Sequence, residues 1–238
     1  MIKNNIKSIF VLSVLIFSAS GMVQNNAYAA SPYPNMGTAN NFAVLGSSTI
    51  TNTGNTSIIG NVGVSPGTAI TGFPPGMVTG ITYTGGQIAT KAHSDASIAY
   101  NTLSNARCTV NGPDVAKLGG QTLRPGVYCF PTSAAITGTL TLSGSGIYIF
   151  KIGSTLDTAA GNSKVVLTKG ALAENIFWHV GSSATLGTDS VLKGTVIAYS
   201  SITSTTGATV DGRLIALNGA VTLDTSHITI VAPHTHRK

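Results

Sequence analysis

Acidic residues are nearly missing from this sequence. Seven Asp and Glu are spread over 238 positions, and charged residues of both signs amount to 8%, against about a quarter in an ordinary globular domain. The formal balance of +6 rests on cations scattered singly, as at Lys117, Arg124, Lys151, Lys193 and Arg213. A nucleic-acid surface needs such residues gathered on one face, so no nucleic-acid partner is expected. The two cysteines, Cys108 and Cys129, are not in CxxC spacing, which argues against a zinc or redox motif. Trp178 is the single tryptophan, too little for a row of stacking platforms under a sugar chain. Neither G-x-S-x-G nor H-E-x-x-H occurs. His93, His179, His227, His234 and His236 supply no ligand pair on an ordered element. The sequence therefore predicts no enzyme, no metal and no cofactor.

Long hydrophobic runs are also lacking after the first residues. Lys3 and Lys7, the apolar stretch from Ile9 to Ala19 and the Ala27-Tyr28-Ala29 step have the order of a secretory signal peptide. Residues 1–29 are therefore assigned to a leader and 30–238 to a single mature domain, secreted or periplasmic, with no membrane association after cleavage. Losing the two leader lysines lowers the formal charge to about +4. In an oxidising compartment an even cysteine count is compatible with a disulfide, and a Cys108–Cys129 bridge is expected to tie the end of the helix to a neighbouring coil.

What the chain has in excess is threonine, 32 residues, and repetition. From Ile176 to Ile230 a unit of about 18 to 20 residues recurs: an apolar strand, a Ser/Gly/Asn corner, a Thr-x-x-Thr step and a short alternating strand. The steps are Thr185-Leu186-Gly187-Thr188, Thr203-Ser204-Thr205-Thr206 and Thr222-Leu223-Asp224-Thr225, with an earlier copy at Thr155-Leu156-Asp157-Thr158. Short β units at such a period mean stacked coils, since one coil cannot bury its apolar side alone. Residues 40–65 read as one more coil. Asp157 and Asp224 occupy the same place in two steps, but Gly187 and Thr205 stand there in the others, so no acidic column of the kind a glycosidase needs is present.

A single helical pattern interrupts the coils. Ile88, Ala92, Ala96, Ala99 and Leu103 are spaced four, four, three and four, one stripe of a helix over about 87–107. The stripe is mostly alanine, which suits close packing on a sheet. Strands near 147–150, 176–180, 196–199 and 214–217 are apolar on both sides, as a helix-covered face requires. Residues 233–238 are expected to form a loose tail.

Several segments resemble the microbial ice-binding (antifreeze) protein family. They are Asn41-Phe42-Ala43-Val44-Leu45-Gly46, Gly60-Asn61-Val62-Gly63-Val64-Ser65-Pro66-Gly67, the run from Leu118 to Tyr128, the run from Phe177 to Thr188, Gly207-Ala208-Thr209-Val210-Asp211-Gly212-Arg213, and Asn218-Gly219-Ala220-Val221-Thr222-Leu223-Asp224. The resemblance implies a mainly β fold, a right-handed discontinuous β-solenoid of triangular section (a triangular β-helix). It also implies one long α-helix packed alongside, with the N-terminal coil out of sequential order among the later ones.

The same resemblance implies secretion and adsorption to ice through one flat face. The family's T-A/G-x-T/N motif is matched by Thr53-Gly54-Asn55-Thr56 and Thr206-Gly207-Ala208-Thr209. Thr158-Ala159-Ala160-Gly161 matches it in part, while Thr188-Asp189-Ser190-Val191 and Thr225-Ser226-His227-Ile228 keep the first threonine. The expected ice-binding residues are accordingly Thr53, Thr56, Thr158, Thr188, Ser190, Thr206, Thr209 and Thr225. The partner is then the ice surface and its ordered water, met by a monomer. A cell-surface adhesin or carbohydrate-binding β-solenoid is the alternative. Ranks of threonine also stabilise sheets on their own account, and the low charge is what favours the surface reading.

Overall fold

The computed structural model describes residues 33–112 and 116–230; the leader at 1–29 and the tail at 233–238 lie outside them. Short runs of β-branched and other apolar residues form parallel strands, and polar corners turn the chain between them. Each full turn of chain lays down three strands, so three faces result.

The first face, which the helix covers, contains Val110–Asn111, Gly126–Phe130, Tyr148–Ile152, Ile176–Val180, the second halves of Val191–Ala198 and Thr209–Ala216, then Phe42–Gly46, Asn61–Val64 and Thr82–Thr84. The second is a separate eight-stranded sheet, in spatial order Ala69–Thr71, Thr49–Thr53, Val221–Asp224, Ile202–Ser204, Ala184–Leu186, Leu156–Thr158, Ala134–Ile136 and Ala116–Lys117. The third runs from Thr122–Leu123, Thr139–Ser143 and Lys164–Thr168 through the first halves of the two eight-residue strands to His227–Thr229, Ser57–Ile59 and Met77–Val78. Those long strands bend from the third face onto the first at Gly194 and its register partner Gly212, where φ is +103° and +156° and the backbone needs a residue without Cβ.

Stacking does not follow chain order. Val44 pairs with Leu214, Thr51 with Thr222 and Ser57 with His227, so the N-terminal coil sits on the last one. The helix, Gly86–Ser104, then carries the chain back to the far end of the stack, where coiling restarts at Val110. At 1.5 Å per residue, 19 residues span about 28 Å, the rise of about six strands at 4.8 Å.

Ala89, Ala92, Ala96, Ala99 and Leu103 lie on the buried side of the helix, and the last four pack on Leu45, Ile149, Phe177, Ile197 and Ile215. Ile88, expected in that stripe, is 50% exposed. Ile88 and Ala89 flank the centre of the stripe at equal angles, about 50° to either side, and it is the small Ala89 that is buried. The strand bounds agree with expectation within a few residues, and the helix ends at Ser104 rather than near 107.

Two charged groups fasten the N-terminal segment. Asp95, buried on the helix, accepts the Thr38 N–H at 2.8 Å and pairs with Lys91. Arg213, buried on the sheet, donates from Nε and Nη2 to the Asn40 carbonyl at 3.0 and 2.8 Å. A buried ion without such partners would cost several kcal/mol, so the turn Gly37–Asn41 is held from both sides.

Cys108 and Cys129 are joined, with Cα atoms 5.8 Å apart. The bond ties the segment after the helix to the strand Gly126–Phe130. Closing a loop of this length is worth about 3 kcal/mol. Replacing both cysteines by serine should lower the melting temperature. Equal melting temperatures for the variant and the parent would show that the bridge contributes nothing.

His179 lies beneath the helix on the strand Ile176–Val180, stacked on Tyr100 with ring centres 4.0 Å apart. Burial pushes its pKa down to about 4, and Lys151 on the adjacent strand adds to the effect. The unfolded chain takes up this proton near 6.5, whereas the folded protein resists it until about pH 4. Stability should therefore fall on acidification through that window, by up to roughly 3 kcal/mol from this group. Urea midpoints at about pH 7 and about pH 4.5 should lie closer together in His179→Phe than in the parent; an identical spread would remove His179 as the cause.

Candidate functional site: the threonine face

Side chains alternate across each strand of the eight-stranded sheet. Ile50, Leu156, Ala184, Leu186, Ile202, Val221 and Leu223 point inward and are buried in the common core. The outward positions align from strand to strand. Thr71 pairs with Thr51, Thr51 with Thr222, Thr222 with Thr203 and Thr203 with Thr185. Five threonines thus occupy one register on five consecutive strands. Neighbours in such a rank are about 4.8 Å apart, and outward residues along one strand about 6.7 Å apart.

A second rank precedes the first by two residues and reads Ala69, Thr49, Ala220, Ser201, Ser183, Thr155 and Ser133, so its hydroxyls are continuous only from Ser201 to Ser133. Contacts across these strands are direct: Thr51 Oγ1 donates to Thr222 Oγ1 at 3.4 Å, and Thr155 Oγ1 to Ser133 Oγ at 3.0 Å. The central rank continues past Thr185 to Asp157, Ala135 and Lys117. The Thr155 step is therefore offset by two residues from the later ones. Asp157 lies in the central rank, while Asp224 pairs with Thr53 beside it, so the two acids expected at equivalent places are not equivalent.

The eight residues expected on the array separate into three groups. Thr53, Thr188, Thr206 and Thr225 line the edge of this face where it turns toward the third. There Thr206 donates to Asp224 Oδ2 at 2.7 Å and Thr225 to Asp224 Oδ1 at 3.0 Å. Those two hydroxyls hold the exposed Asp224 carboxyl below its ordinary range, so the edge carries a negative charge. Thr209 begins a strand of the third face, between Val191 and His227.

Thr56, Thr158 and Ser190 are buried, at 1%, 6% and 1% exposure. Thr56 Oγ1 accepts the Ser226 N–H at 3.0 Å and Thr158 Oγ1 the Gly187 N–H at 2.8 Å. The motif is thus a corner. Gly54 and Gly207 have φ of +72° and +75°, which breaks the strand alternation and turns the last residue inward or onto the next face.

The central rank itself, Thr51, Thr71, Thr185, Thr203 and Thr222, was not singled out by the motif. Its signal in the sequence was the opening threonine of each Thr-x-x-Thr step, which three of these residues supply.

The third face is irregular. Its outward positions include Thr139, Lys164, Val191, Thr209 and His227 in one register, and Lys193 is paired with Asp211. Trp178 offers no external platform: it is fully buried, stacked on Phe150 at 4.1 Å, and its Nε1–H donates to the Lys193 carbonyl at 2.9 Å. Among the described residues no cluster of three or more His, Cys, Asp or Glu could hold a metal ion.

Residues 44–229 match the family model described as ice-binding-like, and the chain belongs to that family. It is 46% identical to an ice-binding protein of Nostoc sp. (strain HG1), over 96% of this chain and 84% of that one. With an ice-binding protein of Colwellia sp. it shares 37% identity over 87% of each. The crystal structure of an ice-binding protein from the Antarctic ascomycete Antarctomyces psychrotrophicus superposes with a TM-score of 0.82 at 40% identity, covering 84% of this chain and all of that one. One from an Antarctic biological consortium gives 0.83 at 43%, covering 87% and 95%. The mainly β solenoid with one helix is the architecture shared with these structures.

Proposed function

We propose that this chain is a secreted antifreeze protein that adsorbs to ice through the threonine face. The observation that carries the choice of face is the five-threonine register from Thr71 to Thr185. Thr53, Thr188, Thr206 and Thr225 form its rim. Each exposed threonine presents a methyl group and a hydroxyl, which both donates and accepts. Repeated at strand spacing, these groups hold water in an ordered layer that merges with the ice lattice.

Water-mediated contacts are individually weak, but a rigid sheet positions all of them beforehand, so little entropy is lost on binding. Bound molecules then force the ice front to grow curved between them, and growth and recrystallisation stop. The protein acts as a monomer and as a single domain, with no cofactor, and its partner is the ice surface.

Thr203→Tyr and Thr209→Tyr separate the two faces that carry threonine. Both positions are half exposed, so each change should alter stability by about 0.5 kcal/mol or less. Thermal hysteresis should fall steeply in Thr203→Tyr and stay near the parent value in Thr209→Tyr. Loss in Thr209→Tyr with activity kept in Thr203→Tyr would move the site to the third face.

A further inference from the structure

We infer that Asp157 fixes where the ice-contacting array ends, and that the fold already holds the platform for a larger one. The inference rests on the threonine face being the site. The sheet does not stop at Thr185: strand pairing continues without a register shift through Asp157 and Ala135 to Lys117. Beneath Asp157 the core is as well packed as elsewhere, with Leu156 fully buried. The neighbouring hydroxyl rank also continues, through Ser183, Thr155 and Ser133. In the central rank the change of character begins at Asp157, ahead of Ala135 and Lys117.

That change interrupts the water layer. Asp157 is exposed, and no cation lies within ion-pair distance among the described residues, so water solvates its carboxylate. An ionised carboxylate only accepts hydrogen bonds and strips its shell at a high cost. A water molecule in ice donates two and accepts two, which a hydroxyl can match and a carboxylate cannot. Asp157 also competes for Thr155: that hydroxyl lies 3.1 Å from Asp157 Oδ2 and 3.0 Å from Ser133 Oγ, and its one proton cannot serve both. Two ranks are therefore disturbed by one residue.

The test is thermal hysteresis and crystal shaping of Asp157→Thr and the near-isosteric Asp157→Asn, beside Thr203→Tyr, all confirmed folded by melting curves. Adding a sixth register position to one multivalent array should raise hysteresis about 1.5-fold or more in Asp157→Thr at equal concentration. Asp157→Asn, which removes only the charge, should give a smaller rise. If Thr203→Tyr loses activity while neither Asp157 variant gains any, the size limit is overturned and the face stands. If Thr203→Tyr keeps full activity, the face itself is wrong and the inference falls with it. Should Asp157→Thr not fold, the Asp157→Asn result decides, and an unchanged value there sinks the proposal.

Discussion

The pairing of the N-terminal coil on the C-terminal one is the contact on which the remainder of the molecule depends. Thr51 and Thr222 are 171 residues apart in the chain, yet they are adjacent in the central rank. Without that ladder the threonine register would be two fragments, Thr71 and Thr51 on one and Thr222, Thr203 and Thr185 on the other. Closing a loop that long costs more entropy than joining successive coils, although the cost rises slowly with length. Three parallel ladders made together, on all three faces, offset it.

The helix makes this closure geometrically possible. A return from Thr82–Thr84 to Val110–Asn111 must pass the nine strands of the first face, about 38 Å at 4.8 Å spacing; 19 helical residues cover about 28 Å of it and the flanking residues the remainder. Its alanine side lets the axis lie close to the sheet, so the aliphatic residues beneath are covered without a second layer of bulky side chains. Asp95 and Arg213 then secure the N-terminal turn, and the disulfide secures the other end. A parallel sheet buried on both faces is thereby obtained on one side only, leaving the threonine face bare.

Much of this was legible because local pattern and global fold agree. The apolar strands at 148–152 and 176–180, the alanine stripe and the Thr-x-x-Thr steps each have a period that names its element. What was not legible depends on backbone direction at corners. The T-A/G-x-T/N match placed Thr56 and Thr158 on the surface, but the positive-φ Gly54 turns the Thr56 side chain inward, and Thr158, two residues after Leu156 on the same strand, shares its inward direction. The Thr155 step is two residues out of phase although its corner is as long as the next one, Ile152 to Leu156 matching Val180 to Ala184; its apolar strand runs on to Ile152, two residues past Phe150, so the threonines come two places earlier. In a strand, a two-residue slip keeps the same face. It therefore left the inward–outward pattern intact and displaced only the register, which put Asp157 in line with Thr185.

Flatness is the property such a face needs, and the core supplies it by sharing volume across each coil. On the helix-covered face the inward column reads Tyr128, Phe150, Trp178, Val196, Leu214 and Val44, in register from strand to strand. The aromatic end is stacked, Tyr128 on Phe150 and Phe150 on Trp178. Following each strand around its coil to the threonine face, Tyr128 leads to Ala134 and Trp178 to Ala184, whereas Val196 leads to Ile202, Leu214 to Val221 and Val44 to Ile50. Large is answered by small and medium by medium; Phe150, followed by Leu156, is the exception. All of these side chains belong to one buried cluster. At close-packed density an excess of volume on one side must move the backbone on the other. Alanine opposite the aromatics therefore keeps the outer strands in one plane, and the spacing of hydroxyls on the surface is set by residues that never reach it.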